Sequence, residues 1–104
     1  MLSILKKIFG LGPSTDYAAL MQQGAIIIDV RSKGEYSSGH IKGSINIPVE
    51  QLSKNLNKFK DKNKTIITCC ASGSRSSMAK SILKSNAYLN VYNGGSWYRL
   101  NQKI

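Results

Sequence analysis

Apolar residues along the chain form short continuous runs that alternate with segments of helical spacing. The run at 25–30 is apolar except for Asp29, which is typical of a strand covered on both faces of a sheet. Shorter runs that favour strands follow at 44–47, 66–68 and 89–92. Apolar residues spaced as on one helix face lie between these runs: Tyr17, Leu20 and Met21; Val49, Leu52, Leu56 and Phe59; Met78, Ala79, Ile82 and Leu83; and Trp97, Leu100 and Ile104. Alternating strands and helices predict one α/β domain, with a parallel central sheet flanked by helices on both faces.

Capping and turn residues predict where several of these elements begin and end. The polar residues at 14–16 are good helix N-caps, and Gly24 should end the first helix. One short helical turn fits residues 33–39. Gly94 and Gly95 are expected to form a turn before the last helix.

The length of 104 residues, 41% of them hydrophobic, supports a single domain with one core. We expect residues 13–104 to form this domain and residues 1–12 to be a loosely packed lead-in. Lys6 and Lys7 interrupt the apolar N-terminal segment, which resembles no signal peptide because no small-residue cleavage site follows it. A short amphipathic membrane anchor and a contact with a partner are the alternatives for residues 1–12.

The chain has a formal net charge of +10, from 15 basic and five acidic residues. Five lysines cluster between residues 54 and 64, and their field should attract anions. The simplest interpretation is a solvated cationic surface, and an acidic protein partner is the alternative. Aromatic residues and arginines are not interleaved with these lysines, which argues against a nucleic-acid partner.

The two cysteines, Cys69 and Cys70, are adjacent and cannot form an ordinary structural disulfide, whose Cα atoms lie about 5.5–6 Å apart. With one histidine in the chain and no metal-ligand spacing, no zinc site is expected. Free cysteines fit a reducing compartment, so we expect a cytoplasmic protein.

The segment at 65–76 carries the most chemical information. A β-branched strand leads to Cys70, small residues follow, Arg75 closes the loop, and a helix is expected to open at Ser76. Backbone N–H groups in such a tight loop, and the positive end of the helix, stabilise a thiolate and attract an anionic substrate. The pattern therefore predicts Cys70 as a nucleophile and Arg75 as the cation for the substrate's anionic end. The predicted substrate-binding residues are Ala71, Ser72, Gly73, Ser74 and Arg75.

Three ordered motifs carry a resemblance to a known family. The motif Cys70-x-x-Gly73-x-Arg75-Ser76 resembles the active-site loop of rhodanese domains, which are sulfurtransferases. The segments at 28–31 and 35–48 resemble the upstream signature of that family, and the segment at 93–97 resembles its C-terminal one. The resemblance extends from about Pro13 to about Leu100, which is nearly the whole chain.

The resemblance implies a single-domain sulfurtransferase with a parallel sheet and no metal or organic cofactor. A Cys70 persulfide would form from thiosulfate or a similar small anionic donor and pass its sulfur to a thiophilic acceptor. That acceptor could be an acidic or cysteine-bearing protein, and the small residues after Cys70 leave room for one. Asp29 and Arg31 are expected to form an ion pair that steadies the cysteine loop, and His40, the only histidine, to tie a loop in place.

Two other functions stay open. Counted from Cys69, the sequence is Cys-x5-Arg-Ser, which resembles the phosphate loop of cysteine-dependent phosphatases and would suit a phosphatase or an arsenate reductase. The flanking motifs instead keep register with Cys70, and Cys69, as the last strand residue, should then point away from the loop. A non-enzymatic module that carries persulfide or binds a partner is the second alternative.

Overall fold

The computed structural model describes residues 14–104, which form a four-stranded, entirely parallel sheet. The strands lie in the order β2-β1-β3-β4. Their bounds are β1 Ile26–Asp29, β2 Ile45–Asn46, β3 Ile66–Cys70 and β4 Val91–Ser96. The helices are α1 Tyr17–Gln22, α2 Lys33–Ser37, a 3-10 helix at Val49–Lys58, α3 Ser74–Ser85 and α4 Trp97–Lys103.

The core lies on both faces of the sheet. On one face, Ile28 and Ile66 belong to a cluster with residues of the 3-10 helix and of α3. On the other face, Ile27 and Ile67 pack with residues of α1 and of α4. Because neighbouring strand residues point to opposite faces, a continuous apolar run can supply both clusters. The predicted parallel sheet between two helical layers is confirmed.

Helix boundaries follow local chemistry at the N-terminal end of the described residues. The Asp16 side chain accepts a hydrogen bond from the Ala19 N–H and so caps α1, as the sequence predicts. Ser32 and Glu35 form a capping box around the start of α2, each accepting from a backbone N–H of the other. The predicted helical turn at 33–39 is therefore a capped helix of five residues.

Two predictions about local structure outside the cysteine loop are wrong. Gly94 and Gly95 lie within β4 instead of in a turn. The reason is close packing: a Cβ atom on Gly94 would lie only 2.9 Å from Ile67, from Leu100 and from the Thr68 carbonyl oxygen. Met78, expected in the core, is 57% exposed.

The cysteine loop is shorter than predicted at both ends. Strand β3 includes Cys70, which pairs with Ser96 across an irregularity in the ladder, so Cys69 is not the last strand residue. Helix α3 begins at Ser74 instead of Ser76. Ser74 and Arg75, predicted as loop residues, therefore form the first turn of a helix, and the connection between Cys70 and α3 contains only three residues.

The expected lead-in at 1–12, its alternative role as a membrane anchor and the expected start of the domain at Pro13 lie outside the described residues. Within residues 14–104, no helix is long and apolar enough to cross a membrane.

Candidate active site

The cysteine loop lies at the carboxyl end of the sheet, where β3 passes into α3. Gly73 has φ +114°, a backbone conformation that residues with a side chain rarely adopt. This conformation reverses the chain just before α3, so that the first N–H groups of the helix face back toward Cys70. A strand end, a glycine reversal and a helix start thus produce the loop.

Backbone N–H groups converge on the Cys70 sulfur. The Gly73 N–H donates to Sγ at 3.0 Å and the Ser76 N–H at 3.4 Å, while the Ser76 hydroxyl lies 3.5 Å from Sγ. Burial alone would raise the pKa of the Cys70 thiol. The hydrogen-bonded contact with the Ser76 side chain and the hydrogen bonds from the backbone N–H groups of Ser76, Gly73 and Ser72 outweigh it, so the pKa lies below its ordinary value. The site therefore favours a thiolate at Cys70.

Ser76 and Asn93 hold the loop in this shape, and sequence reasoning did not single them out. The buried Ser76 hydroxyl donates to Asn93 Oδ1 at 2.6 Å, and the Gly95 N–H donates to the same oxygen at 2.9 Å. Asn93 Nδ2 also lies 3.4 Å from the Gly73 carbonyl oxygen, to which it donates. Asn93 is the first residue of the C-terminal motif at 93–97, so the sequence motif already includes it. Its contact with Ser76, 17 residues away, depends on the fold.

Cys69 lies in a different environment from its neighbour. It belongs to the apolar cluster beneath α1 and α4, whereas Cys70 belongs to the cluster beneath the 3-10 helix and α3. Burial, followed by the nearby Asp29 carboxylate, raises the pKa of the Cys69 thiol to about 12. The two cysteines therefore face opposite sides of the sheet, as strand alternation predicts, and Cys69 is held as a neutral thiol.

Arg75 pairs with Glu35 of α2, a contact that the sequence did not indicate. Arg75 Nη1 and Nη2 donate to the two Glu35 carboxylate oxygens at 2.7 and 2.9 Å. Hydrogen bonds from Arg75, and then from Ser32, hold the pKa of Glu35 at about 2. Glu35 also caps α2, and no local sequence pattern indicates its contact with a residue 40 positions away. The pair fastens α2 to the first turn of α3, and the role of Arg75 in holding a substrate stays a prediction.

Asp29 and Arg31 form the buried ion pair that the sequence led us to expect. Arg31 donates through Nη2 to Asp29 at 2.7 Å and through Nε at 3.0 Å, and both side chains are buried. The pKa of Arg31 is raised, chiefly by its hydrogen bonds to Asp29. Arg31 also donates to the Gly39 carbonyl oxygen at 2.7 Å and stacks on the Trp97 ring at 4.7 Å. The pair thus fixes the segment around α2, and its expected role in steadying the cysteine loop stays a prediction.

His40 lies at the end of α2 and is exposed. Its ring stacks on Tyr36 with centroids 3.8 Å apart, and Nδ1 is 2.8 Å from the Tyr36 carbonyl oxygen. The Tyr36 hydroxyl in turn donates to the Ser44 carbonyl oxygen at 2.6 Å. These contacts join His40 to Tyr36 and Tyr36 to Ser44, and the role of His40 in tying a loop stays a prediction. Among residues 14–104, no group of three or more His, Cys, Asp or Glu side chains could hold a metal ion.

A cleft of about 480 Å³ opens beside the cysteine loop. Two of the predicted substrate-binding residues, Ala71 and Ser72, line one side of it. Cys70 itself is fully buried and does not line the cleft, but it directly precedes Ala71, which does. The rest of the lining comes from β4 and α4: Gly94, Gly95, Ser96, Arg99 and Lys103.

Comparison with known proteins identifies relatives of the whole fold. The family model for the rhodanese-like domain matches residues 14–98. The chain is 38% identical over 69 residues to the thiosulfate sulfurtransferase PspE of Escherichia coli, covering 65% of this chain and 66% of that protein. It is also similar to a solved structure described as a rhodanese with anions from E. coli, with a TM-score of 0.69 and 34% identity, covering 72% of this chain and 89% of that one.

Another relative is a longer protein that the chain matches over only part of its length. The chain is 33% identical over 78 residues to a tRNA uridine(34) hydroxylase of Buchnera aphidicola, covering 70% of this chain. It spans only 25% of the length of that hydroxylase, against 66% of PspE.

Proposed function

The chain belongs to the rhodanese-like domain family, and from this premise we propose that it is a sulfurtransferase that carries sulfane sulfur as a Cys70 persulfide. The observation that supports this most is the convergence of the Gly73 and Ser76 N–H groups on the Cys70 sulfur at 3.0 and 3.4 Å. They stabilise negative charge both on a thiolate and on a persulfide that replaces it. The similarity of the chain to the thiosulfate sulfurtransferase PspE supports thiosulfate as the donor.

The first step forms the persulfide. The Cys70 thiolate attacks the outer sulfur of thiosulfate, a bond forms between the two sulfur atoms, and the sulfur–sulfur bond of thiosulfate breaks. The electron pair of that bond leaves with sulfite. The charge on the leaving sulfite calls for a cation near the loop, and we propose that Arg75 contributes to this through its position in the first turn of α3.

The second step returns the enzyme to its starting state. A thiophilic acceptor, such as cyanide or a thiolate, attacks the outer sulfur of the persulfide. The bond between this sulfur and Cys70 breaks, and its electron pair restores the thiolate. No step of this sequence calls for a metal or an organic cofactor. We propose a cytoplasmic location because both cysteines are free thiols. We also propose an acidic or cysteine-bearing protein as the cellular acceptor, because the chain carries a net charge of +10.

The phosphatase alternative receives no support from the geometry around the two cysteines. A Cys-x5-Arg loop would need Cys69 as its nucleophile, yet the pKa of Cys69 is raised to about 12 and its side chain is buried in an apolar cluster. The N–H groups that would stabilise a thiolate surround Cys70 instead.

Intact-mass spectrometry after incubation with thiosulfate tests the proposal. The parent protein and the matched control Cys69→Ser should each gain one sulfur atom, and Cys70→Ser should gain none. Subsequent cyanide should remove the added sulfur as thiocyanate. A gain that cyanide cannot remove would indicate a carrier without turnover, and no gain in the parent protein would remove the proposed function.

A further inference from the structure

The cleft beside the cysteine loop has the size and position of a small-ligand site. Its volume of about 480 Å³ lies within the range of roughly 300–1,000 Å³ that is usual for ligand pockets. Ala71 and Ser72, which line it, follow Cys70 directly in sequence, so the cleft adjoins the segment that carries the nucleophile. Gly95 lines the cleft without a side chain and leaves its floor open.

The charge of this cleft comes from two cations of α4. Arg99 and Lys103 are four residues apart on the helix, so their side chains lie on the same side of it. No acidic side chain is among the described residues that line the cleft. Within residues 14–104, neither cation forms an ion pair, although Lys103 Nζ lies 5.8 Å from the centre of the Tyr17 ring.

Arg75 differs from Arg99 and Lys103 in its ion pairing and in its position relative to the cleft. Its guanidinium group is bound at two nitrogens by the Glu35 carboxylate, and it does not line the cleft. The charge of that pair is largely balanced within it. The cationic field over the cleft therefore comes mainly from Arg99 and Lys103, and Arg75 contributes only from outside the cleft lining.

Close packing fixes α4 against the sheet and so positions the two cations. Leu100, which lies between them in sequence, is fully buried. The absence of a side chain at Gly94 allows Leu100 to approach the strand, since a Cβ atom there would lie 2.9 Å from Leu100 Cδ2. The Ser96 hydroxyl accepts a hydrogen bond from the Arg99 N–H at 3.4 Å and caps the start of α4. The helix that carries the cations is thus held at the edge of the cysteine loop.

We propose that Arg99 and Lys103 bind the anionic head group of the sulfur donor, a sulfonate-type dianion such as that of thiosulfate. The inference rests on the proposed function and adds the site at which the donor is held. The thiolate and thiosulfate together carry three negative charges, and the loop N–H groups act on the cysteine sulfur. Two cations match the charge that leaves with sulfite, and the planar guanidinium group of Arg99 suits two oxygens of one sulfonate group.

Binding can be measured without chemistry in the variant Cys70→Ala, which cannot accept sulfur. Thiosulfate is titrated into this protein, and the backbone amide signals of Gly95 and Ser96 are followed by NMR. We expect saturable shifts. Adding Arg99→Gln and Lys103→Gln should raise the apparent Kd about 5- to 10-fold, the effect expected of two partly exposed ion pairs.

The matched control removes two charges elsewhere. Lys54→Gln with Lys58→Gln changes two exposed lysines of the 3-10 helix, which packs on the other face of the sheet. The Kd of this control should stay within about twofold of Cys70→Ala. An equal loss in the lysine control, or no loss in the glutamine pair of α4, would overturn the inference.

Failure of this inference can be told from failure of the proposed function. If the parent protein gains one sulfur atom from thiosulfate but the α4 variants bind thiosulfate normally, only the anion site is wrong. If thiosulfate binds through Arg99 and Lys103 but the parent never gains sulfur, the proposed function is wrong, and the donor assignment falls with it. In turnover assays, the α4 glutamine pair should raise KM for thiosulfate and leave kcat largely unchanged.

Discussion

The Asp29–Arg31 pair offers the most quantitative test of how the fold supports the loop. Asp29 is fully buried, Arg31 is 4% exposed, and the carboxylate accepts from both Nε and Nη2 of the guanidinium group. Asp29→Ala would leave a buried guanidinium group without its counter-charge. The remaining partners would be the carbonyl oxygens of Gly39 and Glu35 and the Trp97 ring.

The expected cost is large for a domain of this size. Removing one partner of a buried ion pair lowers the free energy of unfolding by about 3–5 kcal/mol. Each kcal/mol corresponds to a shift in Tm of roughly 4–8 °C in a domain of about 60–100 residues. Asp29→Ala should therefore lower Tm by about 12 °C or more. Thermal and urea unfolding, followed by the fluorescence of the single tryptophan, would measure it.

Two controls separate the unpaired charge from other effects. Asp61→Ala removes an exposed carboxylate that caps a local turn and should cost under about 1 kcal/mol. Asp29→Ala combined with Arg31→Met removes both charges and should recover much of the lost stability. A Tm equal to the parent's in Asp29→Ala would refute the reasoning, and so would a double variant no more stable than the single one.

Three further predictions concern the cysteine loop and the Glu35–Arg75 ion pair. The pH midpoint of Cys70 alkylation by iodoacetamide should lie below the ~8.5 of a free thiol, because N–H groups stabilise the thiolate; a midpoint at or above that value would contradict the convergence of donors. Arg75→Ala should raise KM for thiosulfate several-fold with the fold intact, whereas Glu35→Gln, which releases the guanidinium group, should not raise it; equal increases would assign Arg75 a purely structural role. The pKa of Glu35 is lowered from 4.5 to about 2, so its ionised form stabilises the fold fully above about pH 4.5, and this contribution is lost as pH falls toward 2; urea midpoints of Glu35→Gln should depend less on pH in that window than those of the parent.

The fold was largely predictable because its signals are local or periodic. The apolar run at 25–30 predicts a strand with two covered faces, and Ile27 and Ile28 indeed belong to different clusters. The turn predicted at Gly94 was wrong because glycine is also used where two elements approach closely, and sequence alone does not distinguish the two uses.

The cysteine loop was predictable in composition but not in its contacts. Small residues and a glycine around Cys70 predicted converging N–H groups, which the structure contains. The partners of Ser76 and Arg75, namely Asn93 and Glu35, are 17 and 40 residues away in sequence. Such pairs depend on how β4 and α2 are placed around α3, and no local pattern encodes that placement. The cleft at α4 was missed for the same reason.

Sulfur transfer by the two serine variants tests the central claim most directly. The rate of thiocyanate formation from thiosulfate and cyanide is measured for the parent, Cys69→Ser and Cys70→Ser, with p-nitrophenyl phosphate hydrolysis measured in parallel. Cys69→Ser should retain most of the transfer activity, with a modest loss of stability because a hydroxyl replaces a buried thiol. Cys70→Ser should have none, and no variant should hydrolyse the phosphate ester well. An inactive Cys69→Ser beside an active Cys70→Ser, with phosphate ester hydrolysed, would contradict the choice of nucleophile and the sulfurtransferase assignment together.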